Sequence, residues 1–458
     1  MLVVGWLCAM RKILFYTVLW CVCATSFAQG NFTMRHHSSD KIKFELINNL
    51  IIIPVEVNGL KLSFLLDSGV SKPILFNING VSDTLKMDNV EVFTLRGLGA
   101  DGSIEALKSK NNFVRVGDAI NVHQDIYVVQ DESINFAPRL GVPIHGIIGY
   151  DLLKDFVVEI NYSSKYLRFS NPKTYKYKNC KRCKAFDLTL YKNKPYIDAI
   201  VGVHGKDVPV KLLIDSGGSD ALWLFNDKEQ GLFPHEEMFF ADYLGKGLSG
   251  DLHGKRSKVN TFSLNDFKLK NVNVAYPDSS SISLARRFKA RSGSMSGELL
   301  KRFNVIFDYP SKKITLKPNG NFRDPFYYNK SGIVLEQEGL RVVKMKEKPV
   351  MVENFGTSTN TGNNLTVYNT AGYSFHIKPA FRIVELRLDS PADKAGLLKD
   401  DVILAINNKD THDLKLQEVN QMFRAEDGKL IKLKVDREGR IMDFQFKLEN
   451  VFKQKSSQ

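Results

Sequence analysis

The stretch that decides the fold occurs twice in the chain, first as Phe64-Leu65-Leu66-Asp67-Ser68-Gly69 and again as Leu212-Leu213-Ile214-Asp215-Ser216-Gly217. Each copy is an apolar run that ends in Asp-Ser-Gly, and the copies are 148 positions apart. A carboxylate at the end of a buried strand is unfavourable unless hydrogen bonds or chemistry compensate for its burial. Two such carboxylates, each at the end of its own matching unit, predict a shared site on a pseudo-twofold axis.

The sequence around the two copies repeats as well. In the first unit Asn58-Gly59 is a strong hairpin signal before the strand that leads to Asp67, and His204-Gly205 holds the matching place before Asp215. The repeat continues through glycine-rich loops, short predicted helices and closing hairpins. Chance matches rarely keep register over so many elements, so the sequence predicts one fold unit duplicated as two lobes.

Paired carboxylates at one site have a definite chemistry. They cannot both ionise easily, so one pKa falls, the other rises, and the pair shares a proton. The ionised member can then take a proton from water while its partner protonates a substrate carbonyl oxygen. Asp-Ser-Gly alone is a common turn, and it is the duplication that favours a catalytic pair. The predicted site consists of the catalytic residues Asp67 and Asp215 and the supporting turn residues Ser68, Gly69, Ser216 and Gly217.

Two glycine-rich stretches occupy matching places, Gly97-Leu98-Gly99-Ala100-Asp101-Gly102 and Gly245-Lys246-Gly247-Leu248-Ser249-Gly250. The second also fits the pattern GxGxxG. A dinucleotide site would need a helix after it within a βαβ unit, whereas the residues that follow are strand-like. We therefore predict two glycine-rich hairpins and no cofactor.

These motifs resemble the aspartic proteases, with Asp-Ser-Gly in place of the commoner Asp-Thr-Gly, over about residues 45–320. The duplicated version is similar to bacterial retropepsin-like proteases, some of which carry a C-terminal PDZ domain. The resemblance implies that Asp67 and Asp215 are catalytic and that the two glycine-rich hairpins are flaps, with Gly97, Gly99, Gly245 and Gly247 as flap candidates. Three residues depart from the family pattern, namely Val70, Gly218 and Ser296.

Residues 326–449 resemble a PDZ domain, because Ser390-Pro391-Ala392 is followed by Ala395-Gly396-Leu397 and by the strand-like run from Asp401. Such domains bind an extended peptide beside a strand, and backbone N–H groups hold its terminal carboxylate. Two stretches fit the carboxylate loop, 331–335 and 372–375. We favour the first, with Gly332, Ile333 and Leu335 as peptide-binding residues. A packing domain that binds no peptide is the alternative.

The predicted fold is mostly β, with duplicated acid-protease β-barrel lobes in a bilobal, pseudo-twofold arrangement, followed by a PDZ-like α+β domain. Residues 353–372 are rich in Asn, Thr and Gly and are expected to form a long loop or insertion. The predicted segments are a signal peptide at 1–28, protease lobes at 29–175 and 176–325, the PDZ-like domain at 326–450 and a polar tail at 451–458.

The first 28 residues have the features of an export signal. Arg11-Lys12 precede an apolar run, and Ser26-Phe27-Ala28 supply small residues before a cleavage site at Gln29. An uncleaved membrane anchor is the alternative, although the apolar core is short for a span. Translation from Met10 would give a conventional charged start. The protein is therefore expected in the periplasm, in the cell envelope or outside the cell.

Charge and cysteine content restrict the partners. The formal net charge is +14, which suits a solvated cationic surface, loose association with an anionic membrane surface, or acidic peptides. No basic helix stands out, so nucleic acid is not expected. Cys180 and Cys183 lack the further ligands of a zinc site and the context of a redox motif, so they are expected to form a local disulfide or remain two thiols.

The sequence thus predicts an exported aspartic endopeptidase that acts as a monomer on peptides or unfolded proteins, needs no metal, and uses its PDZ module to recruit or position substrate. The alternative is a non-catalytic peptide-binding protein on the same scaffold. The departures at Gly218 and Ser296 motivate that alternative.

Overall fold

The computed structural model describes residues 30–78, 85, 87, 90–99, 102–131, 134–347 and 372–452. The predicted signal peptide, nearly all of the predicted insertion at 353–372 and most of the polar tail lie outside the described residues.

The first lobe is a sheet built around hairpins, with two short helices. The turn at Asn58-Gly59 joins β4 to β5, and both of its residues have positive φ, 49° and 89°, as the favoured two-residue hairpin turn requires. The elements are β1 Thr33–Met34, β2 Ser39–Lys43, β3 Glu45–Ile47, β4 Leu50–Val57, β5 Leu60–Leu66, β6 Ile74–Leu75, β7 Glu91–Arg96, β8 Ser103–Val116, β9 Ala119–Val128, α1 Ala137–Leu140, β10 Gly146–Ile148, α2 Tyr150–Leu153, β11 Val157–Asn161 and β12 Tyr166–Ser170.

The second lobe repeats this order, and His204-Gly205 forms the matching turn with φ values of 51° and 75°. The elements are β13 Lys184–Asp187, β14 Thr189–Tyr191, β15 Lys194–Val203, β16 Lys206–Asp215, β17 Leu222–Leu224, β18 Phe240–Gly247, β19 Gly250–Leu264, β20 Phe267–Pro277, β21 Gly293–Ser296, α3 Gly297–Leu300, β22 Phe303–Asp308 and β23 Lys313–Pro318. Short 3₁₀ helices lie at Ser280–Ile282, Ala285–Arg287 and Gly320–Arg323.

A six-stranded sheet joins the lobes, in the order β13-β23-β22-β11-β12-β2. The closing strands of the two lobes, β11 and β22, pair antiparallel at its centre, with Val158 opposite Phe307 and Ile160 opposite Val305. These apolar side chains belong to one hydrophobic cluster that draws residues from both lobes. The two lobes therefore share a core and a sheet, which fixes their relative position.

The C-terminal domain has a hydrophobic cluster of its own, which includes Ile333, Val419 and Ile431. Its link to the second lobe is anchored by Tyr328, whose buried hydroxyl donates to Ser257 O at 2.6 Å and accepts from Val274 N–H at 3.0 Å. The elements are β24 Ile333–Lys346, β25 Tyr373–Leu386, α4 Pro391–Lys394, β26 Val402–Ile406, β27 Lys409–Asp410, the 3₁₀ helix Thr411–Asp413, α5 Leu416–Met422, β28 Leu430–Arg437 and β29 Arg440–Lys447.

The predicted fold class is confirmed, because the described chain is mostly β, with two matching lobes followed by a smaller domain. One boundary lies slightly later than expected. Phe326 packs into the cluster of the lobes, and Tyr328 is bonded to β20, so the C-terminal domain begins after these residues. Across the part of the chain that the structure describes, no helix has the length and apolar character needed to cross a membrane.

Candidate active site

Strand pairing places each motif aspartate at the end of a buried strand. In the first lobe β5 runs parallel to β10, and Asp67 N–H donates to Ile148 O at 2.9 Å. In the second lobe β16 runs parallel to β21, with Asp215 beside Ser296. The last residues of β5 and β16 before the aspartates are apolar and buried, so each Asp-Ser-Gly turn directly follows a buried segment.

Four hydrogen bonds tie these two turns to each other across the lobe boundary. The Ser68 N–H donates to Ser216 Oγ at 3.0 Å, and the Ser216 N–H donates to Ser68 Oγ at 3.1 Å. Each hydroxyl also donates to the opposite strand, Ser68 Oγ to Ile214 O at 2.7 Å and Ser216 Oγ to Leu66 O at 2.8 Å. Both serines are buried. Through this exchange the two serine hydroxyls anchor the two turns to each other.

The two carboxylates come to one place. A Cβ built on Gly69 would lie 3.1 Å from Asp67 Oδ1 and 3.5 Å from Asp215 Oδ1, so both oxygens surround the same point. A Cβ on Gly217 would lie 2.3 Å from the Asp67 Cγ, which only glycine avoids. The N–H groups of Gly69 and Gly217 donate to Asp67 Oδ1 at 2.7 Å and to Asp215 Oδ1 at 3.1 Å, respectively.

The environments of the two carboxyl groups differ. Burial and the charge of Asp215 raise the pKa of Asp67 to about 7. Burial also raises the pKa of Asp215, but the positive charges of Arg291 and Lys194 oppose that shift. We assign the shared proton to Asp67 and the negative charge to Asp215, because the cations favour the ionised form of the second carboxyl.

Lys194 and Arg291 are the residues of this site that sequence reasoning missed. Lys194 begins β15, and Arg291 lies two residues before β21. Burial lowers the pKa of both groups, while the aspartates act in the opposite direction. Lys194 and Arg291 belong to no sequence motif, so their positions in the chain do not indicate that they lie in the site. The strand register shows them as differences between the lobes, because the first lobe has Leu50 and Ile144 at the corresponding places.

Two of the three departures from the family pattern, Gly218 and Ser296, compensate for each other. In the first lobe a Cβ on Gly149 would lie 1.9 Å from Asp67 O and 2.6 Å from Val70 O, so glycine is required there. In the second lobe Ser296 stands in place of Gly149, and a Cβ on Gly218 would lie 2.8 Å from Ser296 Oγ. In the first lobe the side chain is at position 70 and the glycine at 149, whereas in the second lobe the glycine is at 218 and the side chain at 296. Gly218 and Ser296 therefore fit together beside the second Asp turn.

The flap candidates lie on two hairpins whose tips meet. Gly97 and Gly99 follow β7, and Gly245 and Gly247 belong to β18. Gly97 N–H donates to Ser249 Oγ at 3.0 Å, and Ser249 N–H donates to Leu98 O at 2.9 Å. Residues 100 and 101 of the first stretch lie outside the described residues.

Each hairpin tip places a leucine against the opposite lobe. Leu98 of the first hairpin packs on an apolar cluster of the second lobe that contains Phe225 and Ile282. Leu248 of the second hairpin packs on the first-lobe cluster that contains Ile144 and Ile147. The stretch that fits GxGxxG, residues 245–250, thus lies in a β-hairpin, because it is followed by β19 and not by a helix.

The predicted carboxylate loop of the PDZ-like domain lies beside α5, since Lys330 N–H donates to Phe423 O at 2.9 Å. Gly332 has a φ of +88° and leaves no space for a Cβ, which would lie 2.2 Å from Ser390 Cβ. The alternative stretch 372–375 lies at the far end of the β24–β25 hairpin, where Lys346 pairs with Tyr373. The structure thus places the first candidate, and not the second, beside the helix.

The N–H groups of this loop already have partners within the loop. Ser331 and Gly332 donate to Asn329 Oδ1 at 3.0 and 3.3 Å, and Ile333 donates to Ser331 Oγ at 3.0 Å. These side-chain oxygens stand where the oxygens of a peptide carboxylate would accept the same bonds. A bound C-terminus would have to displace them.

The first lobe meets the other end of the groove between β24 and α5. Arg139 Nε donates to Glu336 Oε1 at 2.5 Å, and a Cβ on Gly141 would lie 3.2 Å from Leu416 Cβ and 3.4 Å from Gln337 Oε1. The PDZ-like domain is therefore packed on the protease lobes through the face with which it would bind a peptide.

One cavity of about 830 Å³ connects these parts. Its lining includes both aspartates, both hairpin tips, and Gly332, Ile333 and Leu335 of the PDZ-like domain. A volume of this size accommodates several residues of an extended peptide. In the described ranges no group of three or more His, Cys, Asp or Glu side chains could hold a metal ion, and Cys180 and Cys183 form a disulfide.

The serine exchange predicts a specific loss of stability. Ser68→Ala and Ser216→Ala should each lower the free energy of unfolding by about 1–3 kcal/mol, because each leaves a buried N–H and a buried carbonyl without a partner. By symmetry the two effects should be similar. Chemical denaturation monitored by tryptophan fluorescence measures both.

Ser71→Ala is the matched control. Ser71 also donates across the lobe boundary, to Lys192 O at 3.1 Å, but this hydrogen bond is exposed. Its loss should change stability by less than about 0.5 kcal/mol. Equal effects of all three substitutions on the free energy of unfolding would show that the buried hydrogen bonds contribute no more to stability than the exposed one.

Comparisons with known protein families agree with this geometry. Residues 53–152 match the family model described as aspartyl protease, a segment that includes Asp67 but ends before Asp215. Residues 382–437 match the model described as PDZ domain. A search of curated proteins gave no match. The chain therefore contains an aspartyl protease domain of the retropepsin-like type and a C-terminal PDZ domain, which is the architecture that the sequence predicted.

Proposed function

We propose that the protein is an aspartic endopeptidase in which Asp67 and Asp215 activate one water molecule. One observation carries this proposal. The buried Ser68–Ser216 exchange brings two carboxylates from remote parts of the chain to one point in a cavity large enough for a peptide.

The asymmetry of the pair supplies the two protonation states that hydrolysis needs. Asp215, favoured in its ionised form by Arg291 and Lys194, takes a proton from the water as the oxygen attacks the peptide carbonyl carbon. Asp67, protonated because its pKa is raised, gives its proton to the carbonyl oxygen. The protonated Asp215 then gives its proton to the leaving nitrogen and a diol hydroxyl returns a proton to Asp67 as the C–N bond breaks, which leaves a carboxylic acid and an amine. The attacking group is water, so no covalent intermediate with the protein is required.

The hairpin tips and the PDZ domain act on the substrate in this proposal. The interlocked tips close one side of the cavity, so a substrate must enter as an extended chain after they part. The PDZ domain forms part of the cavity lining and positions this chain. Its occupied carboxylate loop favours positioning over capture of a free C-terminus.

We also propose that the protein is exported, as the basic and apolar pattern of residues 1–28 predicts. The disulfide between Cys180 and Cys183 supports the proposal, since disulfides persist mainly in oxidising compartments. The same proposal includes a loose association of the cationic surface with an anionic membrane. It also includes action as a monomer, since both aspartates belong to one chain.

Replacement of either aspartate tests the function. Asp67→Asn and Asp215→Asn should each lower cleavage of a mixed peptide library, read by mass spectrometry, by about 10²–10⁴-fold, because neither amide can exchange the catalytic proton. Asp198→Asn is the control, since Asp198 is an exposed second-lobe aspartate paired with Lys211. Peptide binding by the wild type without dyad-dependent cleavage would favour the non-catalytic alternative.

The pKa of Asp67 also predicts a dependence of stability on pH. A carboxyl whose pKa is raised from 3.8 to about 7 on folding contributes stability that is complete below about pH 4 and is lost as pH rises through 7. Asp67→Asn cannot ionise, so its melting temperature should be close to the wild-type value near pH 4 and above it near pH 8. Asp198→Asn should follow the wild type at both values. Parallel curves for Asp67→Asn and wild type would exclude the raised pKa.

Expression of the full chain in a bacterium with a periplasm tests export. The mature protein should be found outside the cytoplasm and should begin at or near Gln29, as read by N-terminal sequencing of the purified product. Replacing Arg11-Lys12 by two glutamates should retain the protein inside, because the charged start of the signal is lost. A cytoplasmic product with an intact N-terminus would contradict the proposal.

A further inference from the structure

The two lobes differ most beside the aspartates. The strand register aligns them position by position, because Ile52 pairs with Leu65 in the first lobe just as Tyr196 pairs with Leu213 in the second. Two residues earlier the first lobe has Leu50 and the second has Lys194. At this position the first-lobe wall of the cavity thus has the apolar side chain of Leu50, and the second-lobe wall has the ammonium group of Lys194.

A second pair of positions changes in the same way. Gly146 of β10 lies beside Phe64, and Gly293 of β21 lies beside Leu212. Two residues before these glycines the first lobe has Ile144 and the second has Arg291. Both substitutions replace an apolar residue by a cation, and all four residues line the same cavity.

The first-lobe residues at these places are apolar, while Lys72, Arg96 and Arg139 of the same lobe also line the cavity. Leu50, Leu65, Ile144 and Ile147 belong to one buried cluster and form part of the cavity lining. Such a wall gains free energy by covering an apolar substrate side chain and offers a carboxylate no partner. It therefore suits Leu, Ile, Phe or a similar residue.

The second-lobe side is a recess with two cations, which we call the basic recess and define by Lys194, Tyr196 and Arg291. The guanidinium of Arg291 is only 8% exposed and is held in place, since Nε donates to Gly293 O at 3.0 Å and Nη2 to Ser294 Oγ at 2.7 Å. Lys194 is half-buried, and its ammonium group interacts electrostatically with Arg291, Asp67 and Asp215, but forms no hydrogen bond or close ion pair that the described residues show.

The acidic groups nearby do not neutralise this recess. Asp220 and Asp242 also line the cavity, but both are bound by Arg256, at 2.7 and 2.6 Å. Glu298 lines the cavity as well and lies 4.0 Å from the Arg302 guanidinium. The remaining negative charge among these lining residues is the one that the aspartate pair shares. Two buried or half-buried cations thus face one dyad charge, and a second carboxylate would complete the balance.

We propose, on the basis of the proposed protease function, that the basic recess binds the carboxylate of an acidic substrate side chain, so that the enzyme cleaves between an apolar residue and Glu or Asp. The substrate class is therefore acidic peptide segments with an apolar neighbour at the cut. Lys194 is a specificity-determining residue in this assignment, and Arg291 fixes the shape and charge of the recess.

Paired peptides test the assignment without any change to the protein. Peptides with one Leu–Glu or Glu–Leu bond in a neutral context are compared with the same peptides carrying Gln for Glu. The value of kcat/KM should be at least about tenfold higher for Glu in one of the two orders, because a charge-assisted hydrogen bond is lost in the amide. Equal rates for Glu and Gln in both orders, with cleavage still dependent on Asp67, would overturn the recess and leave the protease function standing.

Variants of the recess give the second arm. Lys194→Met should abolish the preference for Glu over Gln, whereas Lys194→Arg should keep it. Lys206→Met is the matched control, because Lys206 is an exposed lysine at the far end of the same hairpin and its loss changes the net charge equally. A preference that survives Lys194→Met, with only the pH profile altered, would show that Lys194 acts on the aspartates and not on the substrate.

Binding separates this proposal from the function on which it rests. The Asp67→Asn variant should bind the Glu peptide more tightly than the Gln peptide in a fluorescence anisotropy titration, by a similar factor. If the wild type cleaves nothing but this preference is present, the recess stands and the protease function falls. If neither peptide is preferred, the recess is excluded whatever the cleavage assay gives.

Discussion

The reciprocal hydrogen bonds between Ser68 and Ser216 are the constraint on which the site depends. Each serine satisfies the backbone of the opposite Asp-Ser-Gly turn, so neither turn is complete without its counterpart. Because the carboxylates of Asp67 and Asp215 project from these turns, their convergence follows from the exchange. The shared six-stranded sheet and the common core hold the lobes at the distance that the exchange requires.

The sequence predicted this centre because its signals are local and repeated. The Asp-Ser-Gly motifs, the turns at Asn58-Gly59 and His204-Gly205, and the glycine-rich hairpins each depend on a few neighbouring residues. The basic recess depends instead on which strands lie side by side, so Lys194 and Arg291 could not be connected from their positions in the chain. The aligned repeats contained that information only after the strand register was known.

Gly218 and Ser296 show a second limit of sequence reasoning. Considered singly, each departs from the family pattern and argues against an intact second turn. In the structure the Ser296 hydroxyl fills the space that a side chain at position 218 would need, so the two residues form one packing unit. Their sequence separation of 78 positions hides this relation, because a contact between remote residues leaves no local pattern.

The PDZ domain illustrates the difference between a fold and its use. The motif around Ser390-Pro391-Ala392 was sufficient to predict the domain, and the family comparison supports it. The state of its carboxylate loop was not predictable, because it depends on how Asn329 and Ser331 turn their side chains toward the loop N–H groups. The same domain contributes to the wall of the cavity that the two aspartates line, so its fold alone does not decide its use.

The presence of both lobes in one polypeptide has a consequence for how such a protein can diverge. In an assembly of two identical halves, every substitution appears on both sides of the axis, and a new cation would alter both walls together. Within a single chain each wall can change alone, as the difference between Leu50 and Lys194 illustrates. With both lobes in one chain, a mutation alters one side of the axis without altering the other, while the paired serines keep the two turns symmetric.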